Sequence, residues 1–430
     1  MDVRELYKQK HISIEEAVNM VKSNQKVCTA MAASEPQGLL KGLERRKDEL
    51  ENVSLVSCLM MGDYEILRPE MKGRFLNETW FYGPGDRANH GHGNVTYIPN
   101  NLHEAGRKKL ANDTINVFWG TASPMDKRGF FSLSLGLTYE KAMVEGVDLV
   151  ILEVNENLPW TLGDTQVHIS EIDYVVEHHV PLLEIPVVEP GEEEMTIGNY
   201  IADMIEDGST LQLGIGGIPN AIAQSLRGKK DLGIHTEMFT DGMVDLFNAG
   251  AITGRRKSIW RGKMVGTFAL GTQKLYDFIN RNLVVEFQQG SIVNDPCVVG
   301  QNYRMVSINT ALQVDLTGQV CSEAIGNRHY SGTGGQADTH RGAQRSEGGK
   351  GIISLRSTAK RGELSTIVAQ LPGGAKVTLG RNDIDYVVTE FGVAHLKGRS
   401  VRDRVQAMIN IAHPNFREAL RQEAENVQLW

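Results

Sequence analysis

The chain has 430 residues, of which 41% are apolar and 23% charged, and its formal net charge is -8. That length exceeds what one ordinary hydrophobic core organises, so two domains are expected. An acidic balance without a basic block argues against nucleic acid or an anionic membrane as partner. The longest apolar runs, such as VDLVILEV at 147–154, are far too short to span a bilayer.

From the N-terminus, MDVRELYKQKHISIEEAV is charged and lacks the apolar core of a signal peptide. Cys28, Cys58, Cys297 and Cys321 are scattered, with neither a CxxC pair nor a disulfide-framework spacing. Together these features predict a cytoplasmic protein. Strand-like runs then recur at 27–33, 53–61, 115–122, 148–154, 210–217, 263–270, 283–289 and 385–391. Amphipathic stretches such as NYIADMIED and QKLYDFINRN lie between them, an alternation that predicts an α/β fold with mostly parallel sheets. The segment VPLLEIPVVEPGEEEMTIGNY combines three prolines, an acidic run and a helix-capping signal, and predicts a linker. We place the domains at 1–190 and 191–430.

An internal match supports two similar halves. Setting Pro36 on Pro219 brings Leu43 onto Leu226 and Asp48 onto Asp231 without a gap. Both stretches read as helix, turn, strand, small-residue loop and helix, which is duplication or grammar shared by any two βαβ units. The halves differ at the loop: Ala-Ala-Ser-Glu in the first, Gly-Ile-Gly-Gly in the second. Only the second continues into IHTE, so the chemistry is expected there.

In LQLGIGGIPNAIAQSL, a strand runs into Gly214, Ile215, Gly216, Gly217 and Ile218 before a proline-led helix. Such a turn either converges backbone N–H groups on an anion at a helix N-terminus or merely permits a tight bend. Pro219 and Asn220 break the dinucleotide fingerprint, and no Walker A sequence occurs. Glu237, in GIHTEMFTDGM, ends the next strand, where open α/β sheets place ligands. There it is a nucleophile for acyl transfer or an ion-paired carboxylate at a strand end. A second glycine loop, RHYSGTGGQADTH, sets Ser331 and Gly335 beside Gln336 and Asp338, after a hairpin predicted to turn at Thr317-Gly318. Downstream, Lys360 and Arg361 suit a phosphate-bearing ligand, and Glu390 follows an apolar run. His90 and His92 in NHGHGN are too close for a helical ligand pair, so no metal site is predicted. Neither a GxSxG elbow nor a cysteine–histidine nucleophile motif is present, which leaves a carboxylate as the candidate nucleophile.

Taken together, FYGPGDR, EVNENLPWTLGDTQVHISEIDYVVEHHVPLLEIP, GIGGIPNAIA, LGIHTEMFTDGM, FQQGSIVNDP, YSGTGGQAD and DYVVTEFGVAHLKGRS resemble the class I CoA-transferases of the acetyl-CoA hydrolase/transferase family. The resemblance covers nearly the whole chain and lies toward the branch of 4-hydroxybutyrate and butyryl-CoA:acetate CoA-transferases. It implies two similar open α/β domains, the first walling the acyl pocket. It also implies Glu237 as the nucleophile that forms a glutamyl-CoA thioester and Gly335 as an oxyanion-hole amide. Gly214, Ile215, Gly216, Gly217, Ile218, Ser331, Gly335 and Lys360 would contact CoA, and Asn294 and Glu390 match polar active-site positions. At those last two, VNDP and TEFG stand where the family more often has SNHP and TEQG. CoA would serve as co-substrate, with no tightly bound cofactor and no metal. The expected partners are an acyl-CoA, a short-chain carboxylate and a second copy of the chain in a homodimer. Three readings compete with transfer: hydrolysis of acyl-CoA on the same fold, a citrate-lyase-type α subunit, and a non-catalytic sensor.

Overall fold

The computed structural model describes residues 2–429. Packing divides the chain into two compact units. The first takes the residues up to Pro186 together with Val265–Val293; the second takes Val187–Met264 and the residues from Asn294 onward. The excursion Val265–Val293 has no signature in the sequence. It joins the first unit through backbone bonds: Leu137 N–H donates to the Thr267 carbonyl at 2.8 Å, and Phe287 N–H to the Leu162 carbonyl at 2.8 Å.

In the first unit the sheet runs, edge to edge, Val95–Tyr97, Phe75–Thr79, Val53–Ser57, Lys26–Thr29, Val117–Ala122, Leu149–Val154 and Tyr174–Glu177. Every pairing is parallel. Strands covered on both faces need no polar alternation, which is why VFWGTA is buried at every position. Leu39, Leu40 and Leu43 of the helix Gln37–Glu44 pack into the same core as Val27, Leu55 and Trp119. Each such side chain contributes about 1.5–3 kcal/mol on full burial.

The second unit repeats this plan. Gly233–His235, Thr210–Leu213, Met305–Thr310, Lys350–Ser354 and Tyr386–Thr389 follow one another in parallel, and Gly392–His395 turns back antiparallel on the edge. In each unit the chain leaves its first strand in one direction, then returns to that strand's other side. The order therefore reverses between Lys26–Thr29 and Val117–Ala122, and between Thr210–Leu213 and Met305–Thr310. Ligand sites of open α/β sheets form at such switch points.

The aligned stretches adopt the same elements: helix Ile14–Asn19, strand Lys26–Thr29 and helix Gln37–Glu44, against helix Glu192–Met204, strand Thr210–Leu213 and helix Gly217–Ser225. The first leading helix begins at a reciprocal cap and the second at a one-way cap. Ser13 and Glu16 bond each other's backbone N–H, and Glu194 accepts from Gly191 N–H at 2.9 Å. The predicted hairpin forms between Gln313–Asp315 and Val320–Cys321. Asp315 accepts from the Thr317 and Gln319 amides at 2.9 Å each, and Gly318 takes the positive φ of +96° that closes the turn. Among the described residues, no helix is long and apolar enough to cross a membrane.

Candidate active site

The second unit's switch point is assembled from three loops. Strand Thr210–Leu213 ends in Gly214, and the next helix starts at Gly217 with no side chain capping it. Gly216 sits at φ +113°, a conformation that disfavours any Cβ. A Cβ built there would nevertheless meet only open space, and Ile215 is 42% exposed. The turn therefore presents backbone N–H groups and an apolar side chain to whatever approaches.

Glu237 lies just beyond the strand Gly233–His235, in a short break before Met238–Phe239. Leu211 pairs with Ile234 in register, and the Thr236 hydroxyl lies 3.1 Å from the Met238 carbonyl and 3.4 Å from that of Leu213. The residue before Glu237 is thus a neighbour of the residue before the glycine turn. Glu237 is partly accessible to solvent, yet its carboxylate is closely surrounded by protein atoms.

Two donors hold that carboxylate. Asn294, fully buried behind the short helix Gly290–Val293, donates its side-chain N–H to Oε2 at 2.9 Å. The second donor is the Gly335 backbone N–H, at the start of helix Gln336–Arg345. Contact there is so close that a Cβ on Gly335 would lie 1.9 Å from Glu237 Oε2 and 2.0 Å from Asn294 Nδ2. Only glycine fits. Burial pushes the Glu237 carboxyl up to about 7; the Asn294 bond opposes it, the charge of Asp338 adds to it, and the Gly335 bond opposes it.

The glycine loop ahead of Gly335 is anchored through its own side chains. Ser331 is buried and donates its hydroxyl to the Ser322 carbonyl at 2.9 Å, and Thr333 donates to Glu323 Oε2 at 2.9 Å. Gly334 takes φ +53° between these anchors and Gly335.

Of the residues singled out in the sequence, Glu237, Asn294 and Gly335 meet directly, and Gly214 to Ile218 lie one strand away. Two others fall outside this cluster of bonds. Glu390, after the strand Tyr386–Thr389, accepts from the Ser357 amide at 2.9 Å and from the Ser357 hydroxyl. Lys360 is exposed on the turn between Thr358–Ala359 and Leu364–Ser365, at φ +48°. His90 meets the Tyr82 hydroxyl at 3.2 Å, and among the described residues no three His, Cys, Asp or Glu side chains converge as a metal-binding set.

Beneath Gly335 lies a buried polar group of Gln212, Ser307 and Thr339, with the half-buried Asn309 at its edge, that has little trace in the sequence. The one signal available for it was a glutamine inside the apolar run TLQLG.

Residues 1–189 match the family model of the acetyl-CoA hydrolase/transferase N-terminal domain, and 271–424 that of the C-terminal domain. The 4-hydroxybutyrate coenzyme A transferase of Clostridium kluyveri is 45% identical over 427 residues, 98% of this chain and 99% of that protein. The succinyl-CoA:cyclohexane-1-carboxylate CoA transferase of Geobacter metallireducens is 45% identical over 98% of this chain and 96% of its own. The crystal structure of RipA from Yersinia pestis superimposes with a TM-score of 0.96 at 39% identity, covering 100% of both chains. By domain match, by full-length identity and by fold, this chain belongs to the acetyl-CoA hydrolase/transferase family.

Proposed function

We propose that the protein transfers CoA between a short-chain acyl-CoA and a free carboxylate, of the acetate, butyrate or 4-hydroxybutyrate type, through a thioester on Glu237. The observation that carries this reading is the Glu237 carboxylate held by Asn294 and Gly335 beside an uncapped glycine turn. The full-length relatives named above, both CoA transferases, support transfer over hydrolysis.

The geometry suggests how the oxygens divide the work. Oε2 is engaged by Asn294, so Oε1 attacks the thioester carbonyl and expels CoA thiolate, leaving a mixed acyl-glutamyl anhydride. The thiolate then adds to the Glu237 carbonyl carbon. Negative charge now develops on Oε2, the atom Asn294 already contacts. Collapse breaks the bond to Oε1, which departs as an oxygen of the first acid, and leaves the glutamyl-CoA thioester. A second carboxylate runs the sequence backward. Thioester energy is conserved, so the balance needs no ATP. A donor preorganised on a developing oxyanion is worth ~2.7–4 kcal/mol.

Trapping tests this. With acyl-CoA and no acceptor, borohydride should reduce the thioester and inactivate the enzyme, and peptide mapping should place the change inside IHTEMF. Initial-rate plots at several acceptor concentrations should give parallel lines, because the first acid leaves before the second binds. A mark on any other residue, or near-normal turnover by Glu237→Gln, would reduce Glu237 to a structural carboxylate. CoA release that does not depend on added carboxylate would favour the hydrolase.

A further inference from the structure

Gly335 offers its N–H to Glu237, so the orientation of this one residue sets the aim of a donor. Its carbonyl is held from below. Thr339 donates to it twice, with its backbone N–H at 2.9 Å and its side-chain hydroxyl at 3.0 Å. The first bond belongs to any helix; the second does not.

The Thr339 hydroxyl is part of a buried polar group drawn from both central strands. Ser307 Oγ lies 2.8 Å from Thr339 Oγ1 and 2.9 Å from Gln212 Oε1. Asn309 Nδ2 lies 3.1 Å from Ser307 Oγ and 3.3 Å from Gln212 Oε1. Gln212, Ser307 and Thr339 are 4%, 0% and 2% exposed. Each hydroxyl has one proton, and although Thr339 Oγ1 also lies 3.3 Å from Gln212 Oε1, one arrangement satisfies Gly335 as well. Asn309 donates one N–H to Ser307 and the other to Gln212, Ser307 donates to Thr339, and Thr339 donates to the Gly335 carbonyl. Every proton in that chain finds an acceptor. A buried network costs free energy when half satisfied and rigidifies what it holds when complete. A glutamine and two hydroxyls under one glycine are an expensive way to fill a core that Val or Leu would fill.

We propose that Thr339, supported by Ser307, Asn309 and Gln212, is a positioning residue that locks the Gly335 peptide so that its N–H points at the Glu237 carboxylate. The proposal rests on the transfer mechanism above. The loop is gripped on its other side by the Thr333–Glu323 bond, and Gly334 at φ +53° is the pivot between the two grips. Without the Thr339 hydroxyl, the pivot has one side free.

The test pairs kinetics with trapping on the full-length protein. Thr339→Val keeps the shape and removes the hydroxyl. It should lower kcat roughly 10- to 100-fold, the cost of a small misplacement in a preorganised site. KM for the acyl-CoA should stay within about twofold, because the lost interaction belongs to the transition state. The borohydride mark should still map to Glu237 and reach the wild-type yield, but more slowly. Thr339→Ser restores the hydroxyl and should recover most of kcat. Ser307→Ala, which removes only the donor behind Thr339, should show the same split with a smaller fall and serves if the valine variant does not fold. Wild-type kcat in a folded Thr339→Val or Ser307→Ala protein would overturn the proposal, as would a serine variant no faster than the valine one. A wild-type enzyme that carries no mark on Glu237 would overturn the transfer mechanism itself; a marked wild type with an indifferent Thr339→Val would overturn only the positioning role.

Discussion

The two strand–turn–helix segments share a plan and part company at the turn. In the first unit, carboxylates of the protein itself occupy donors at the switch point. Glu153 accepts from the Gly38 and Leu39 amides at the start of helix Gln37–Glu44, at 3.1 and 2.8 Å. Glu35, inside the turn, accepts from Met61 N–H, Gly62 N–H and the Tyr64 hydroxyl at 2.7, 2.8 and 2.7 Å, and is 3% exposed. The second unit has no carboxylate in its turn. Its helix is uncapped, and its carboxylate, Glu237, arrives from the neighbouring strand with some solvent access. Helix N-termini attract anions in either case. One unit spends that attraction on its own fold, whereas in the other no side chain caps the helix.

The sharpest way to break this contrast is at the glycines. Gly335→Ala drives a Cβ into Glu237 and Asn294 and should lower kcat/KM roughly 10²–10³-fold, as loss of an oxyanion donor does. Gly216→Ala meets open space but must hold φ +113°, a strain of about 1–3 kcal/mol. It should appear mainly as a raised KM for acyl-CoA. Steady-state kinetics on the two variants tests both, and equal effects would remove the distinction between the loops.

Stability should separate the units next, because one substitution has opposite signs. Glu153→Gln sets an amide group against donors that a carboxylate satisfied and should cost about 1–3 kcal/mol. Glu237→Gln should stabilise. The folded Glu237 carboxyl titrates near 7, above its ordinary 4.5, so the native state binds the proton more tightly than the unfolded chain. Wild-type stability therefore falls as pH rises from 4.5 to 7, and the glutamine variant escapes that fall. Its advantage should be absent below pH 4.5 and complete above 7, at about 1–3 kcal/mol. Denaturant melts at pH 4 and pH 8 decide it.

The smallest effect concerns the acid side of the rate profile. In the proposed mechanism the attacking form is the anion, so kcat/KM should decline as pH drops below about 7. Asp338→Asn removes a charge that raises this carboxyl and should shift the limb to lower pH by less than about one unit. An unmoved limb would mean that another group limits the rate.

Much of this was legible in the letters because it is written locally. Strands covered on both faces announce themselves as apolar runs, and a glycine turn before Pro219 is a short-range signal. Glu237 stands out because a carboxylate interrupts a strand pattern. What escaped depends on contacts distant in sequence. Thr339 looks like any helix threonine until Ser307 and Gln212 are placed beneath it. Glu153, at the end of the run DLVILEV, gives no hint that it caps a helix 115 residues earlier. Glu390 and Lys360 were singled out with Glu237, but their bonds lie elsewhere, with Ser357 and on an exposed turn.

The excursion Val265–Val293 bears on how the protein is made. The first unit is discontinuous: until residue 293 leaves the ribosome, Leu137 N–H has no Thr267 carbonyl to meet and the Leu162 carbonyl has no Phe287 N–H. Domains that are contiguous can fold one after the other during synthesis, but here the earlier-made part must wait while the beginning of the later one emerges. A fragment ended in the linker at Pro190 would carry those unpaired groups permanently. Produced separately, it should therefore be poorly soluble alone and should recover when the remainder is expressed with it.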